Sequence, residues 1–218
     1  MRNSTRSDQM WHRAVLGAVV LLIIRSAAVA APTVLTFDDI VPQGEVYLTN
    51  SGYGGLTWEL GNTGYGGNVG FWGVPSTDDP YSHPHSPPRD VVNGWGCSQI
   101  GISFPGVVDM GGAYIAGQGN GPFTSALRVH GYRNGLEVSD TDWFRSITTT
   151  PAWFDMSALA NVDRIVFESV VVYQNTGVYG LDDLTFTYIP EPAGLAALSF
   201  AAAALLARRR RKTQGVTG

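Results

Sequence analysis

Two pairs of adjacent aspartates, Asp38-Asp39 and Asp182-Asp183, stand near the two ends of the middle part of this 218-residue chain. Carboxylates and backbone carbonyls are the oxygen ligands that Ca²⁺ prefers in proteins. If the strands that carry these pairs are neighbours, the pairs would converge on one structural calcium ion. The competing interpretation is that the aspartates cap turns and solvate strand ends. The sequence therefore predicts a calcium site at these four residues and leaves that alternative open.

Aromatic side chains in glycine-rich stretches are the second group whose chemistry suggests a ligand. Tyr53, Trp72 and Trp95 lie in such stretches, where exposure to solvent is expected. An exposed ring beside carboxylates and amides can stack against the apolar face of a sugar. We therefore predict these three residues as candidates for carbohydrate contact, whereas Trp58 is expected to fill the core.

The proline-rich segment 76–90 is predicted to be a loop. It contains His83 and His85 close to Asp78 and Asp79. Imidazole and carboxylate groups can bind a transition metal, but no flanking element fixes their geometry here. A surface loop, or a loop that displays side chains to a partner, is the favoured interpretation.

The sequence contains no motif of an established catalytic arrangement. Neither a Gly-x-Ser-x-Gly nucleophile elbow nor a His-Glu-x-x-His zinc motif occurs. Cys97 is the single cysteine of the chain, and we expect it to be a small buried residue and not a nucleophile. The prediction is a protein that is not an enzyme, with calcium as its one candidate cofactor. A secreted hydrolase is the least favoured alternative.

Charge divides the chain into three parts. The net charge is +3 for residues 1–30, −11 for 31–190 and +4 for 191–218, which gives −4 for the whole chain. The middle part has five arginines and no lysine. Because phosphate binding needs clustered basic residues, nucleic acid is excluded as a partner of this part.

The N-terminal segment 1–30 has the three parts of a signal peptide. A polar and basic start precedes eleven apolar residues at 14–24, and Ala28 and Ala30 are the small residues before a cleavage point at Ala31. Eleven helical residues span about 16 Å, which is too short for a hydrocarbon core of about 30 Å. We predict export and cleavage by signal peptidase, with an uncleaved signal anchor as the alternative.

The middle part, 31–188, is predicted to consist of strands. Short apolar or alternating runs are separated by turn residues, and no segment has a convincing 3.6-residue periodicity. The clearest hairpin turns at Arg133-Asn134-Gly135, because Asn-Gly tolerates positive φ. We predict an all-β fold, a β-sandwich or jelly roll. The predicted strands are 33–37, 56–60, 69–72, 100–104, 113–116, 125–132, 136–139, 143–148, 152–155, 164–172 and 181–188.

The C-terminal segment 189–212 joins three features in order, and a short tail, 213–218, follows it. A Pro-Glu-Pro tripeptide precedes fifteen uncharged residues at 193–207, and four arginines come next. The apolar run predicts a transmembrane helix of about 22 Å, which suits a transient halt in the membrane. The arginines should stay cytoplasmic. The signal residues are Pro190, Glu191, Pro192, Arg208, Arg209, Arg210 and Arg211.

This arrangement resembles the PEP-CTERM sorting signal of Gram-negative bacteria. The resemblance implies recognition by an exosortase, a membrane cysteine protease-transpeptidase that acts at or near the Pro-Glu-Pro motif. It also implies an exported, non-enzymatic protein of the cell envelope or extracellular matrix, held transiently at the inner membrane. Residues 190–192 would then be a substrate site for another enzyme.

The middle part resembles the galactose-binding-like jelly rolls of secreted bacterial proteins. The matching pieces are 35–40, 53–58 and 179–186, the last of which reads Tyr-Gly-Leu-Asp-Asp-Leu-Thr-Phe. The resemblance implies that the first and last strands lie side by side. With the candidate aromatic residues, the alternative function is a carbohydrate-binding module that contacts exopolysaccharide.

Overall fold

The computed structural model describes residues 30–40, 46–49, 51–62, 68–75, 82–118, 124–170 and 177–190, with the backbone alone at 62, 68, 69, 72, 74, 75 and 95. The compact unit spans Ala31–Ile189. The predicted signal peptide up to residue 29 and the sorting signal after Pro190 lie outside the described residues. Within the described ranges, no helix is long and apolar enough to cross a membrane.

The described part of the chain is built almost entirely from strands, so the predicted all-β class is confirmed. The arrangement is consistent with a β-sandwich. Two short 3₁₀ helices, Tyr53–Gly55 and Gly94–Gly96, interrupt the strands. The strands are β1 (Thr33–Leu35), β2 (Val46–Tyr47), β3 (Thr57–Trp58), β4 (Gly61–Asn62), β5 (Asn68–Val69), β6 (Phe71–Pro75), β7 (Arg89–Asn93), β8 (Gln99–Gly117), β9 (Ala126–Arg133), β10 (Leu136–Asp140), β11 (Phe144–Arg145), β12 (Ala152–Asp155), β13 (Val162–Ser169) and β14 (Tyr179–Tyr188).

Strand β8 connects the two halves of the fold. Its first part pairs with β3 and β13, and its second part pairs with β12 and β14. The main path of paired strands is β10-β9-β13-β8-β14-β7-β6-β2. The sequence predicts two separate strands here, but β8 runs on through Pro105. A proline is tolerated because it lies in an irregular stretch of the β8–β13 ladder, where its missing N–H is not needed.

The first and last strands lie side by side, as the resemblance to jelly rolls implies. Thr33 pairs with Phe186 and Leu35 pairs with Leu184 in an antiparallel ladder. β14 also pairs with β8 and with β7, so it lies inside the sheet. This position brings the Asp182-Asp183 pair next to segments that are distant in the sequence.

The predicted β9–β10 hairpin is confirmed. Asn134 and Gly135 have φ values of 51° and 79°, the positive values that its turn requires. Leu127 and Val129 point into the core and are fully buried. His130, on the opposite face, is unexpectedly also buried, because it lies between carboxylates of β10 and β13.

One hydrophobic core holds these strands together. Trp58 is 1% exposed and packs edge-on against Phe71, with ring centroids 5.5 Å apart. The core position predicted for Trp58 is confirmed. Cys97 is also buried, as expected, and its thiol lies 2.9 Å from the carbonyl oxygen of Gly94.

The predicted loop at 76–90 ends earlier than expected. Arg89 and Asp90 are the first residues of β7 and are each 1% exposed. The reason is that β7 pairs with β6 on one side and with β14 on the other, so charged residues enter an interior strand. A local pattern rich in proline and charge cannot show this burial.

Candidate functional site

Five side chains from three strands and one loop segment form the candidate site, which we call the aromatic–acid cluster. Trp153 of β12 pairs with Tyr114 of β8, and Tyr114 pairs on its other side with Asp182 of β14. Asp183 follows on β14, and His85 comes from the segment before β7. The register of three neighbouring strands therefore sets the positions of these groups.

Three rings of the cluster stand in a row. The His85 ring stacks on Tyr114 with centroids 3.3 Å apart and planes 4° apart. Tyr114 meets Trp153 edge-on at 5.3 Å. Trp153 is 43% exposed, which is high for so large an apolar side chain. The row thus presents an aromatic surface to solvent at its Trp153 end.

The acids of the cluster hold the segment that carries His85. Nδ1 of His85 lies 2.7 Å from Oδ2 of Asp183. The backbone N–H of Ser86 donates to Oδ2 of Asp182 at 2.8 Å, and the Ser86 hydroxyl lies 3.1 Å from both carboxylates. Asp183 has a φ of 50°, a left-handed value unusual for a residue with a side chain. Such strain persists where the surroundings impose it, often at functional sites.

A third carboxyl, Asp90, lies deeper beside the cluster. Its oxygens accept hydrogen bonds from Ser82 Oγ at 2.6 Å and Gln118 Nε2 at 2.7 Å. Burial raises the pKa of Asp90 to about 7, and the charge of Asp182 adds to this effect. Burial also raises the pKa of Asp182 to about 6, with a contribution from Asp183. Burial and the neighbouring carboxyl groups therefore both oppose the ionisation of Asp90 and Asp182.

The aromatic residues predicted from the sequence are not members of this cluster. Tyr53 is half-buried, stacks on Phe37 at 5.6 Å and donates its hydroxyl to Asp39 at 2.6 Å. Burial, followed by this hydrogen bond, raises the pKa of Tyr53. The side chains of Trp72 and Trp95 lie outside the described residues. Sugar contact by these three residues stays a prediction.

The two aspartate pairs have different partners. Asp39 bonds Tyr53, whereas Asp182 and Asp183 bond Ser86 and His85. Oδ1 of Asp38 is buried and has no hydrogen-bond partner within the described ranges. Among the described residues, no three His, Cys, Asp or Glu side chains gather as metal ligands. The shared calcium site therefore stays a prediction, without support from the geometry of these four residues.

The sequence does not predict a role for Trp153 or Tyr114, or the contact of His85 with Asp183. The alternation around 152–155 correctly predicts a strand, but it does not show which strand pairs with it. His85 and Asp183 are 98 positions apart, and their contact depends on β7 lying beside β14. Only knowledge of the strand order could have found the cluster.

A groove, which we call the bulge groove, lies elsewhere on β8. It is lined by Ser103–Val107, Arg133, Asn134, Asp163 and Arg164 and has a volume of about 380 Å³. Arg164 is engaged with Glu59 through two hydrogen bonds of 2.7 Å. Burial alone would raise the pKa of Glu59, but hydrogen bonds from Arg164 and Ser103 outweigh it and lower that pKa.

Comparisons with known proteins add a limited likeness of fold. No family model and no curated protein matches the sequence. One similar solved structure is TmCBM61 in complex with β-1,4-galactotriose, at 14% identity and a TM-score of 0.33, covering 55% of this chain and 82% of that one. Another contains CBM51-2 in complex with GlcNAc and the INT domains from Clostridium perfringens ZmpB, at 12% identity and a TM-score of 0.31, covering 75% of this chain and 33% of that one. Likenesses of this size carry no argument about function.

Proposed function

We propose that residues 31–189 form the glycan-binding domain of an exported, non-enzymatic protein, with the aromatic–acid cluster as its contact site. The observation that carries this proposal is the exposed ring of Trp153 in a row with Tyr114 and His85, next to Asp183. A sugar has an apolar C–H face and a rim of hydroxyls. The indole ring suits the face, and the imidazole and carboxylate suit the hydroxyls.

The ligand is expected to be a neutral glycan. Residues 31–190 carry a net charge of −11 and no lysine, so a polyanion would be repelled over the whole domain. Asp182 and Asp183 lie beside the site, so an anion bound there would also meet two acidic side chains. Hydroxyl groups can donate hydrogen bonds to such carboxylates without adding charge.

Calorimetry with the full chain tests the site. Neutral trisaccharides of β-1,4-linked galactose, glucose or N-acetylglucosamine are titrated into wild type and Trp153→Ala. We expect at least a tenfold loss of affinity at this site in the variant, because the exposed stacking surface is gone. Trp143→Ala is the matched control, since Trp143 is a half-buried ring elsewhere, with Arg128 4.9 Å from its centroid.

Two results would overturn the proposed site. One is the absence of binding by wild type to every trisaccharide at millimolar concentration. The other is a Trp153→Ala variant that binds as wild type does. A loss in Trp143→Ala equal to that in Trp153→Ala would mean that the effect comes from general destabilisation and would also count against the site.

We further propose that the two ends of the chain deliver this domain to the cell envelope or matrix. The support is the sequence: a signal-peptide pattern at 1–30, and Pro190-Glu191-Pro192 with an apolar run and Arg208–Arg211. Signal peptidase and an exosortase would be the processing enzymes, and the C-terminal helix a transient inner-membrane anchor. In cells that lack the exosortase we expect a heavier protein retained in the membrane fraction. Equal mass and location in both strains would refute this route.

A further inference from the structure

The bulge groove and the aromatic–acid cluster lie on the same strand. Pro105 of the groove and Tyr114 of the cluster are both residues of β8. Nine steps along a fully extended strand correspond to at most about 30 Å, and the irregular pairing at residues 103–108 shortens this span. The two features are therefore separate surfaces that one continuous element holds at a fixed spacing.

The groove is produced by an irregularity in strand pairing. Ser103 pairs with Arg164 and Val108 pairs with Val162, so residues 104–107 lie opposite Asp163 alone. Extra residues on one strand leave backbone groups outside the ladder and bend the strand, and such bulges are common next to binding sites. The resulting volume of about 380 Å³ is within the range of small-molecule sites.

The polar groups of the groove include both donors and acceptors. The Arg133 side chain forms no ion pair or hydrogen bond with the part of the chain that the structure describes, so its guanidinium N–H groups are available as donors. Asp163 accepts the backbone N–H of Asn134 through Oδ2 at 2.8 Å, and Oδ1 makes no bond to a described residue. Pro105, which is exposed, and Val107 add apolar surface.

These groups suit a neutral polyhydroxyl ligand better than an ion. An anion attracted by Arg133 would be repelled by Asp163. A cation attracted by Asp163 would be repelled by Arg133. Arg164 adds no free charge, because Glu59 neutralises it in a two-bonded pair. Sugar hydroxyls can donate to Asp163 and accept from Arg133 at the same time.

We propose that the bulge groove is a second glycan-contact site, so that one domain binds two segments of a neutral polysaccharide at once. This inference rests on the proposed function and extends it from binding to bridging. Two sites held on one strand raise the avidity for a polymer that reaches both of them, and they link polymers when different chains occupy them.

The stoichiometry of trisaccharide binding tests the second site, because a trisaccharide is too short to reach both sites. The full chain is titrated with whichever of the three trisaccharides above binds most tightly. We expect two sites per chain in wild type, and one in Trp153→Ala, in Arg133→Ala and in Asp163→Asn. Arg145→Ala, the removal of an exposed arginine outside the groove, should keep two sites. If the galactose trisaccharide is the tightest ligand, wild type mixed with soluble β-1,4-galactan should give turbidity, because a domain with two sites links polymer chains. Each one-site variant should give no turbidity.

The outcomes separate this inference from the proposed function. One site in wild type that disappears in Trp153→Ala would overturn the second site and leave the proposed function standing. Binding that survives Trp153→Ala but disappears in Arg133→Ala would support the groove and overturn the aromatic–acid cluster. No binding in wild type would overturn both. Two sites in both groove variants, Arg133→Ala and Asp163→Asn, would also refute the groove.

Discussion

Asp90 is a single carboxyl whose surroundings oppose its charge. It is 1% exposed, and its pKa is raised from 3.8 to about 7 by burial, with the nearby charge of Asp182 adding to the shift. A group with a raised folded pKa contributes stability that is complete below its unfolded pKa and is lost as the pH rises through its folded pKa. For Asp90 this loss extends from about pH 4 to about pH 7.

The variant Asp90→Asn should therefore stabilise the protein at alkaline pH. The raised pKa corresponds to about 4 kcal/mol at most, and the amide removes this penalty while its oxygen can still accept from Ser82. The Gln118 amide can rotate to face the new N–H group. We expect the melting temperature of the variant to exceed that of wild type by several degrees more at pH 8 than at pH 5, measured by calorimetry.

Asp142→Asn provides the control for that measurement, because Asp142 is exposed. It should follow wild type at both pH values. An equal difference between Asp90→Asn and wild type at pH 5 and pH 8 would contradict the assigned ionisation of Asp90.

At the scale of elements, the β9–β10 hairpin is tied to β13 through one imidazole. Nδ1 of His130 lies 2.8 Å from Glu137 of β10, and Nε2 lies 2.8 Å from Glu168 of β13. Ionised carboxylates only accept hydrogen bonds, so the two bonds exist together only when both ring nitrogens donate and the ring is a cation. Burial alone would lower the pKa of His130, but the bonds to Glu168 and Glu137 outweigh it and raise that pKa.

This arrangement predicts that the hairpin loosens as the pH rises. The contribution of His130 is complete below its unfolded pKa and is lost as the pH rises through its raised folded value, because one of the two bonds disappears with the proton. Hydrogen exchange of β10 peptides, corrected for intrinsic rates, should show less protection at pH 8.5 than at pH 5.5. In His130→Gln this pH dependence should vanish.

His83→Gln is the matched variant outside the hairpin and should keep the pH dependence of the wild-type β10 peptides. If the β10 peptides of wild type are equally protected at both pH values, the cationic bridge is wrong.

The elements themselves were predictable where one face is buried and a turn motif lies nearby. The alternation of Leu127 and Val129 with polar residues, followed by Asn134-Gly135, predicted β9 and β10 correctly. β7 was missed because Val91 and Val92 are both buried and the strand begins with two charged residues. Strands buried on both faces do not alternate, so periodicity cannot detect them.

At the scale of the whole molecule, the sequence predicted the fold class but not which distant residues meet. Trp58 and Cys97 were correctly placed in the core, since their size and chemistry favour burial wherever the chain runs. Tyr114, Trp153 and Asp183 come together through three strand pairings, and the information for each pairing is spread over the entire domain. Sequence reasoning therefore found the acids and the strands but not the candidate site between them.

The interior position of β14 has a mechanical consequence. β14 ends at Tyr188, two positions before Pro190 of the Pro-Glu-Pro motif. It pairs along its length with β8 on one edge and with β1 and β7 on the other. A pull transmitted from the C-terminal side acts along the strand axis and loads many ladder hydrogen bonds together in shear. Strands at a sheet edge that are pulled sideways open one bond at a time. If the proposed C-terminal anchor and the proposed glycan contact both hold the domain, this placement of β14 would resist tension between them better than an edge strand would.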